Sequence, residues 1–261
     1  MAHVEINGGP ASVEAVHRVA TWNYGHFTSM QVRQRAVAGL ALHLHRLRDG
    51  SRELFPERAA PSERTIVELV RHALGDQKDA SVRVTVVPAG SDPEGVDVMV
   101  SVSEPAPDAA GAPLRVRTVT YERELPHLKH VATLGLTYHY LAARAAGFDD
   151  ALFVARDGRI SEGSVWNVAF WDGERVIWPD APQLTGITMQ VLRLGLKKLG
   201  IPDEQRTLTA ASLPGMRAAA AANSRCPAQP IATIGETTLP DSAEFAALLR
   251  EAWRAMPWDD L

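Results

Sequence analysis

Lysine occurs at only four positions, Lys78, Lys129, Lys197 and Lys198, in a chain otherwise rich in arginine. Lys197 and Lys198 fall late in a helical pattern, where positive charge suits the helix dipole. Lys78 lies in a Gly-Asp-Gln-Lys-Asp turn. Lys129, in Leu128-Lys129-His130-Val131 just after Pro126, has no such local role. A buried lysine sheds its proton readily, because low dielectric disfavours the charged form. The freed amine is a nucleophile suited to Schiff-base chemistry. The ordinary alternative is a surface lysine at a strand end.

Three further segments offer partners for such an amine. Asp157-Gly-Arg-Ile-Ser-Glu162-Gly-Ser-Val-Trp-Asn167-Val reads as a turn, a strand, then a carboxylate in a glycine-flanked kink. A carboxylate fixed there could keep a pyridine nitrogen protonated and make the ring an electron sink; otherwise Glu162 is a solvated turn residue and Asn167 a turn-bonding amide. Leu184-Thr185-Gly186-Ile187-Thr188 stands at a helix start, where free N–H groups and two hydroxyls make a phosphate cradle, or where Thr185 is simply the cap. Arg46 could supply a bidentate charge to that phosphate. Ser224, in Asn223-Ser-Arg-Cys-Pro227, could donate one more hydrogen bond, or belong to a plain polar loop.

These residues need elements to hold them. Val4–Pro10 reads as a short strand and turn, and Phe27–Val32 as a strand. Leu40, Leu44 and Leu47 repeat at helical spacing, predicting a helix over 40–55 with Arg46 beside its apolar stripe. Ser62 is placed to cap the next helix, which carries Ile66, Leu69 and Val70. Val82–Val87 and Val96–Val102 read as strands joined by an Ala89–Pro93 turn. Glu104–Pro113, rich in proline and small residues, reads as a linker. It divides an N-terminal domain, 1–103, from a C-terminal domain, 114–261. Beyond it the pattern predicts a helix over 131–146, then strands at Ala151–Val154, Val165–Phe170 and Val176–Trp178 with an Asp172-Gly173 hairpin turn. A helix runs from near Gly186 to a stop at Gly200, and a last one covers 241–255. The run Ala218–Ala222 reads as a buried strand or tight packing.

The totals exclude several functions. The chain has 261 residues, enough for one large or two small domains with a sizeable core. A net charge of −4 gives no basic field for nucleic acid or acidic membrane. No apolar run approaches the roughly 20 residues a bilayer crossing needs, no secretory signal opens the chain, and a single cysteine, Cys226, makes no internal disulfide. The expectation is a cytoplasmic enzyme without a metal.

Taken in order, the segments resemble the class IV aminotransferases, the fold-type IV pyridoxal-phosphate enzymes that include branched-chain and D-amino-acid aminotransferases and aminodeoxychorismate lyase. The likeness runs from about Tyr24 to Ile234. His43-Leu-His-Arg46-Leu47 resembles the family's His-x-x-Arg-Leu helix, which implies that Arg46 grips the cofactor phosphate. Leu128-Lys129-His130 is similar to the Schiff-base segment, and Gly158–Asn167 to the stretch whose glutamate, here Glu162, faces the pyridine nitrogen. Leu184 to Thr188 resembles the segment that packs a leucine on the ring and binds phosphate through Ile187 and Thr188; Ser224 stands where a phosphate-binding threonine is usual. Met189 replaces a usual arginine, Thr185 a common proline, and Leu134 the tyrosine that branched-chain enzymes carry near the ring.

The resemblance implies an α/β (α+β) fold of two domains, a smaller N-terminal one and a larger C-terminal one, with pyridoxal 5'-phosphate in the cleft. It implies a homodimer acting on a small amino donor and a keto acid, with Phe27 lining the pocket. Arg83, opening a strand, could reach a substrate carboxylate or be structural. Transamination with Lys129 as anchor and base is the favoured activity. A 4-amino-4-deoxychorismate lyase is the alternative, weakened because the Ala89–Val96 loop lacks an arginine for a second carboxylate. A non-catalytic protein keeping the same scaffold ranks third.

Overall fold

The computed structural model describes residues 3–90, 94–107 and 109–261. The turn expected at 89–93 falls in part on 91–93, outside the described residues, as does Asp108 of the proline-rich stretch. The chain packs as two units. The first takes the residues up to Ala106 together with Leu128–Ala132 and Pro257–Leu261; the second takes Pro107–His127 and Thr133–Met256.

The first unit begins with a hairpin, β1 (His3–Ile6) and β2 (Gly9–Pro10), and a nine-residue helix, α1 (Val13–Thr21), capped by Ser12 and not anticipated from the sequence. β3 (His26–Arg33) and β4 (Ala36–Val37) lead into α2 (Leu40–Leu54) and α3 (Glu63–Leu74), then β5 (Ala80–Pro88) and β6 (Val96–Ser103). Ser62 caps α3, its Oγ accepting the Thr65 N–H. The sheet runs C-terminal strand (Asp259–Asp260), β4, β3, β5, β6, β1, β2. Strand alternation then sorts the side chains. Met30, Val32, Val82, Val84, Val86, Val98, Val100 and Val102 pack with Leu44, Leu47, Ile66 and Val70 of α2 and α3. The opposite face presents Phe27, Ser29, Arg83 and Thr85, with Ser29 paired to Arg83 and Phe27 to Thr85.

Two segments from late in the sequence, Leu128–Ala132 and Pro257–Leu261, group with this unit. Phe27 N donates to Lys129 O and Val131 N to Gly25 O, which lays Leu128–Val131 along the start of β3. At the other end of β3, the C-terminal strand pairs with β4, and Leu261 is buried in the first core.

The second unit is built on a sheet of β7 (Leu114–Thr120), β8 (Asp150–Val154), β9 (Ile160–Gly163), β10 (Asn167–Trp171), β11 (Val176–Pro179), β12 (Asp203–Arg206), β13 (Ala218–Ala222), β14 (Gln229–Ile234) and β15 (Thr237–Thr238). Pairing runs β10-β13-β14-β7-β8-β9, and β9 pairs again with β10, so six strands close on themselves. Inside lie Val116, Leu152, Ile160, Val168, Phe170, Ala219, Ala221 and Ile231. Outside, Ala218, Ala220 and Ala222 meet α5 (Ile187–Leu199) and α6 (Ser242–Arg254). The alanine run is thus a strand buried on both faces. Gly200 ends α5 in the left-handed region at φ 72°, as its position predicts. α4 (Leu134–Ala145) starts three residues later than expected and buries only Ala143. No helix among the described residues is long and apolar enough to cross a membrane.

Candidate active site

In the first unit, the register that sets His26 against His130 also sets Phe27 opposite Lys129. Both side chains therefore leave the sheet on its polar face, where the Lys129 Nζ lies 5.0 Å from the centre of the Phe27 ring. The Arg83 guanidinium stacks on the same ring at 3.6 Å, while its Nε donates to Thr85 Oγ1 at 3.2 Å. Among the described residues no carboxylate pairs with Arg83, and burial pushes its pKa down. A half-desolvated guanidinium beside an amine is a ready receptor for a carboxylate.

Arg46 sits on α2 one turn after His43. The buried His43 Nδ1 is held by Thr28 Oγ1 at 2.6 Å. Burial first, then repulsion from Arg46 and Lys129, drives the pKa of His43 down to about 3. That coupling places Arg46, Lys129 and His43 in one electrostatic neighbourhood. His26, whose Nε2 bonds Ser51 Oγ at 3.0 Å, is lowered by burial to about 4. Arg83 is a candidate for the substrate carboxylate from the sequence, and His43 enters it only as the first residue of the motif that carries Arg46.

In the second unit, Glu162 is 6% exposed and stands on β9, directly across from Asn167 of β10. It is buried within β9, one residue before the strand ends and the turn begins. Its Oε1 lies 3.5 Å from Nη1 of Arg123, which is 7% exposed. Sequence reading missed Arg123, because nothing in Tyr121-Glu-Arg-Glu124 marks one charge as buried. Tyr121 lies close by; burial chiefly raises its pKa, with Arg123 opposing and Glu124 and Glu162 adding to it.

Asn167 connects this carboxylate to the expected phosphate cradle. Its Nδ2 donates to Leu184 O at 2.7 Å and to Gln183 Oε1 at 3.0 Å, tying the approach to α5 onto β10. Leu184, Ile187 and Thr188 are all buried, whereas Thr185 is exposed. Gly186, not Thr185, is the N-cap of α5, and no side chain caps it. The N–H groups of the first turn are therefore left for another acceptor, which suits an anion. Met189 points into the apolar cluster with Trp178 and Phe245. Ser224 lies in a turn closed by Asn223, whose Oδ1 accepts the N–H groups of Arg225 and Cys226. Leu134 is 83% exposed.

The structure thus brings together Lys129, Phe27 and Arg83, with Arg46 and His43, in one unit. In the other it brings together Glu162, Asn167, Leu184, Ile187 and Thr188, with Ser224 on its own turn. Taken unit by unit, the amine of the first suits a carbonyl, and the buried carboxylate and uncapped helix start of the second suit a basic ring nitrogen and a phosphate.

The profile of the family described as amino-transferase class IV matches residues 25–234. No curated protein sequence matches the chain. Among solved structures, the Escherichia coli branched-chain amino acid aminotransferase is similar at a TM-score of 0.83 and 17% identity, over 97% of this chain and 93% of that one. A T.th. branched-chain amino acid aminotransferase, solved with pyridoxamine 5'-phosphate, gives 0.84 and 18%, over 96% and 92%. A putative 4-amino-4-deoxychorismate lyase from Legionella pneumophila gives 0.78 and 17%, over 90% and 93%. At these identities the likeness shows the fold, which is that of fold-type IV aminotransferases.

Proposed function

The chain belongs to the class IV aminotransferase family, and from that premise we propose that it holds pyridoxal 5'-phosphate on Lys129 and moves an amino group from an amino donor to a keto acid. The observation that carries this reading is the polar face on which Lys129 and Arg83 both meet Phe27. An amine beside a guanidinium that lacks an acidic partner among the described residues suits a substrate bearing both an amino group and a carboxylate. When bound, the cofactor supplies an electron sink for the pair left at the substrate's α-carbon.

The rest falls to residues of the chain. Lys129 would hold the cofactor through its amine and would serve as the general base that moves the α-proton. Glu162 would keep the ring nitrogen protonated, Arg46, Ile187, Thr188 and Ser224 would bind the phosphate, and Leu184 would pack on the ring. Phe27 lines the substrate site, and Arg83 orients the carboxylate.

The test is chemical. Borohydride reduction of the loaded protein, followed by peptide mass spectrometry, is expected to place the pyridoxyl group on Lys129. A label on Lys78, Lys197 or Lys198 sinks the assignment. A donor panel with pyruvate and 2-oxoglutarate, run beside an aminodeoxychorismate assay, then separates amino transfer from pyruvate elimination.

A further inference from the structure

Glu162 stands one residue before the end of β9, and a residue so placed serves a fixed partner only if the turn beyond it is held still. That turn is Gly163–Trp166, closed by Gly163 N donating to Trp166 O at 2.8 Å. It separates Glu162 from Asn167, the pair that joins β9 to β10. The Trp166 ring lies so tightly over Gly163 that any Cβ there would collide with it, so this packing demands glycine at position 163.

The turn is anchored by a carboxylate for which the proposed reaction has no use. Asp150 opens β8 and is 8% exposed. Its Oδ2 accepts Trp166 Nε1–H at 2.8 Å and Ser164 Oγ–H at 3.0 Å, and its Oδ1 accepts the Ala151 N–H at 2.7 Å. Both side chains that donate to Oδ2 belong to the four-residue turn. A buried carboxylate is costly unless well hydrogen-bonded, and here the bonds that compensate burial are the ones that fix the turn.

We infer that Asp150 is a positioning residue for Glu162, acting through Ser164 and Trp166; the inference rests on Glu162 having the ring-nitrogen role proposed above. A merely architectural Asp150 would support the fold without affecting the chemistry of molecules that have folded. A positioning Asp150 affects both.

The experiment uses the full chain loaded with ¹⁵N-ring-labelled pyridoxal 5'-phosphate, in Asp150→Asn, Glu162→Gln and the double variant. Asp150→Asn is expected to lower kcat about tenfold, roughly 1.4 kcal/mol of barrier, with the donor KM little changed. Its ring-nitrogen resonance is expected to move toward the unprotonated position, the direction Glu162→Gln takes. In the Glu162→Gln background Asp150→Asn is expected to cost no further kcat, because the two act as one unit. Wild-type kcat and resonance in loaded Asp150→Asn, or additive losses in the double variant, overturn the inference while leaving the Glu162 role standing. Wild-type behaviour of Glu162→Gln overturns that role and the inference with it. If Asp150→Asn does not fold, Ser164→Ala removes one of the two Oδ2 bonds and is read the same way.

Discussion

His43 bonds Thr28 in the core, and burial first, then repulsion from Arg46 and Lys129, lowers its pKa from an ordinary 6.5 to about 3. The unfolded chain binds a proton near pH 6.5, and the folded one does not until about pH 3. Stability from this group is complete above pH 6.5 and is lost as pH falls through that window. The slope is about 1.4 kcal/mol per pH unit for each such proton, and His26, lowered to about 4, adds a second. Urea unfolding between about pH 7 and pH 4.5 is expected to show His43→Asn losing less stability over the window than wild type. An unchanged slope would assign the acid sensitivity elsewhere. Arg46 makes a separate prediction. A charge-assisted hydrogen bond contributes about 1.5–3 kcal/mol, so Arg46→Ala, losing two, is expected to weaken pyridoxal phosphate binding by about a hundredfold or more. Unchanged cofactor affinity would make Arg46 a surface residue only.

Among the elements, α5 and α6 approach so closely that a Cβ at Gly195 would run into the Ala252 backbone. Gly195→Ala is expected to cost about 1–3 kcal/mol by overpacking, read as a lower urea midpoint at unchanged m-value. A neutral result would mean the helices slide apart freely. Elements with a strong local signal were legible: α2 and α3 from their apolar spacing, α3 also from its Ser62 cap, α5 from its Gly200 stop. β12 and β14 were not, because their charged or proline-bearing sequences carry little alternation of their own; β7 does alternate over Leu114–Arg117 but adjoins the proline-rich stretch read as a linker. The same limit applies to the site. Lys129 stood out by rarity and Glu162 by its glycine-flanked motif, whereas Arg123 and Asp150 matter only through partners 39 and 16 residues away.

For the whole molecule, the sequence's resemblance leads to the expectation of a homodimer. Light scattering at micromolar concentration checks it, and a monodisperse, fully active monomer would count against it. The path of the chain makes a firmer point. It passes from one unit to the other at 106/107, 127/128, 132/133 and 256/257, so cutting at the proline-rich stretch does not yield two complete units. A fragment ending at Ala106 lacks the Lys129 segment that lies along β3. Such a fragment is expected to show weakened protection of the Gly25–Phe27 amides in hydrogen exchange. Protection equal to that of the full chain would contradict the pairing seen at Phe27 and Lys129.

The closing strand has a consequence for synthesis in the cell. Asp259 Oδ2 accepts the Leu40 N–H at 3.0 Å at the start of α2, whose N-cap Gly39 has no side chain to offer. Leu261 meanwhile fills part of the first core. Residues 257–261 leave the ribosome after the whole of the second unit, so the emerging first unit waits with its edge strand and α2 unfinished. Vectorial folding from the N-terminus is therefore expected to stop short of a native first unit. Stalled nascent chains ending at Met256 should remain protease-sensitive around Leu40 until residues 257–261 have emerged.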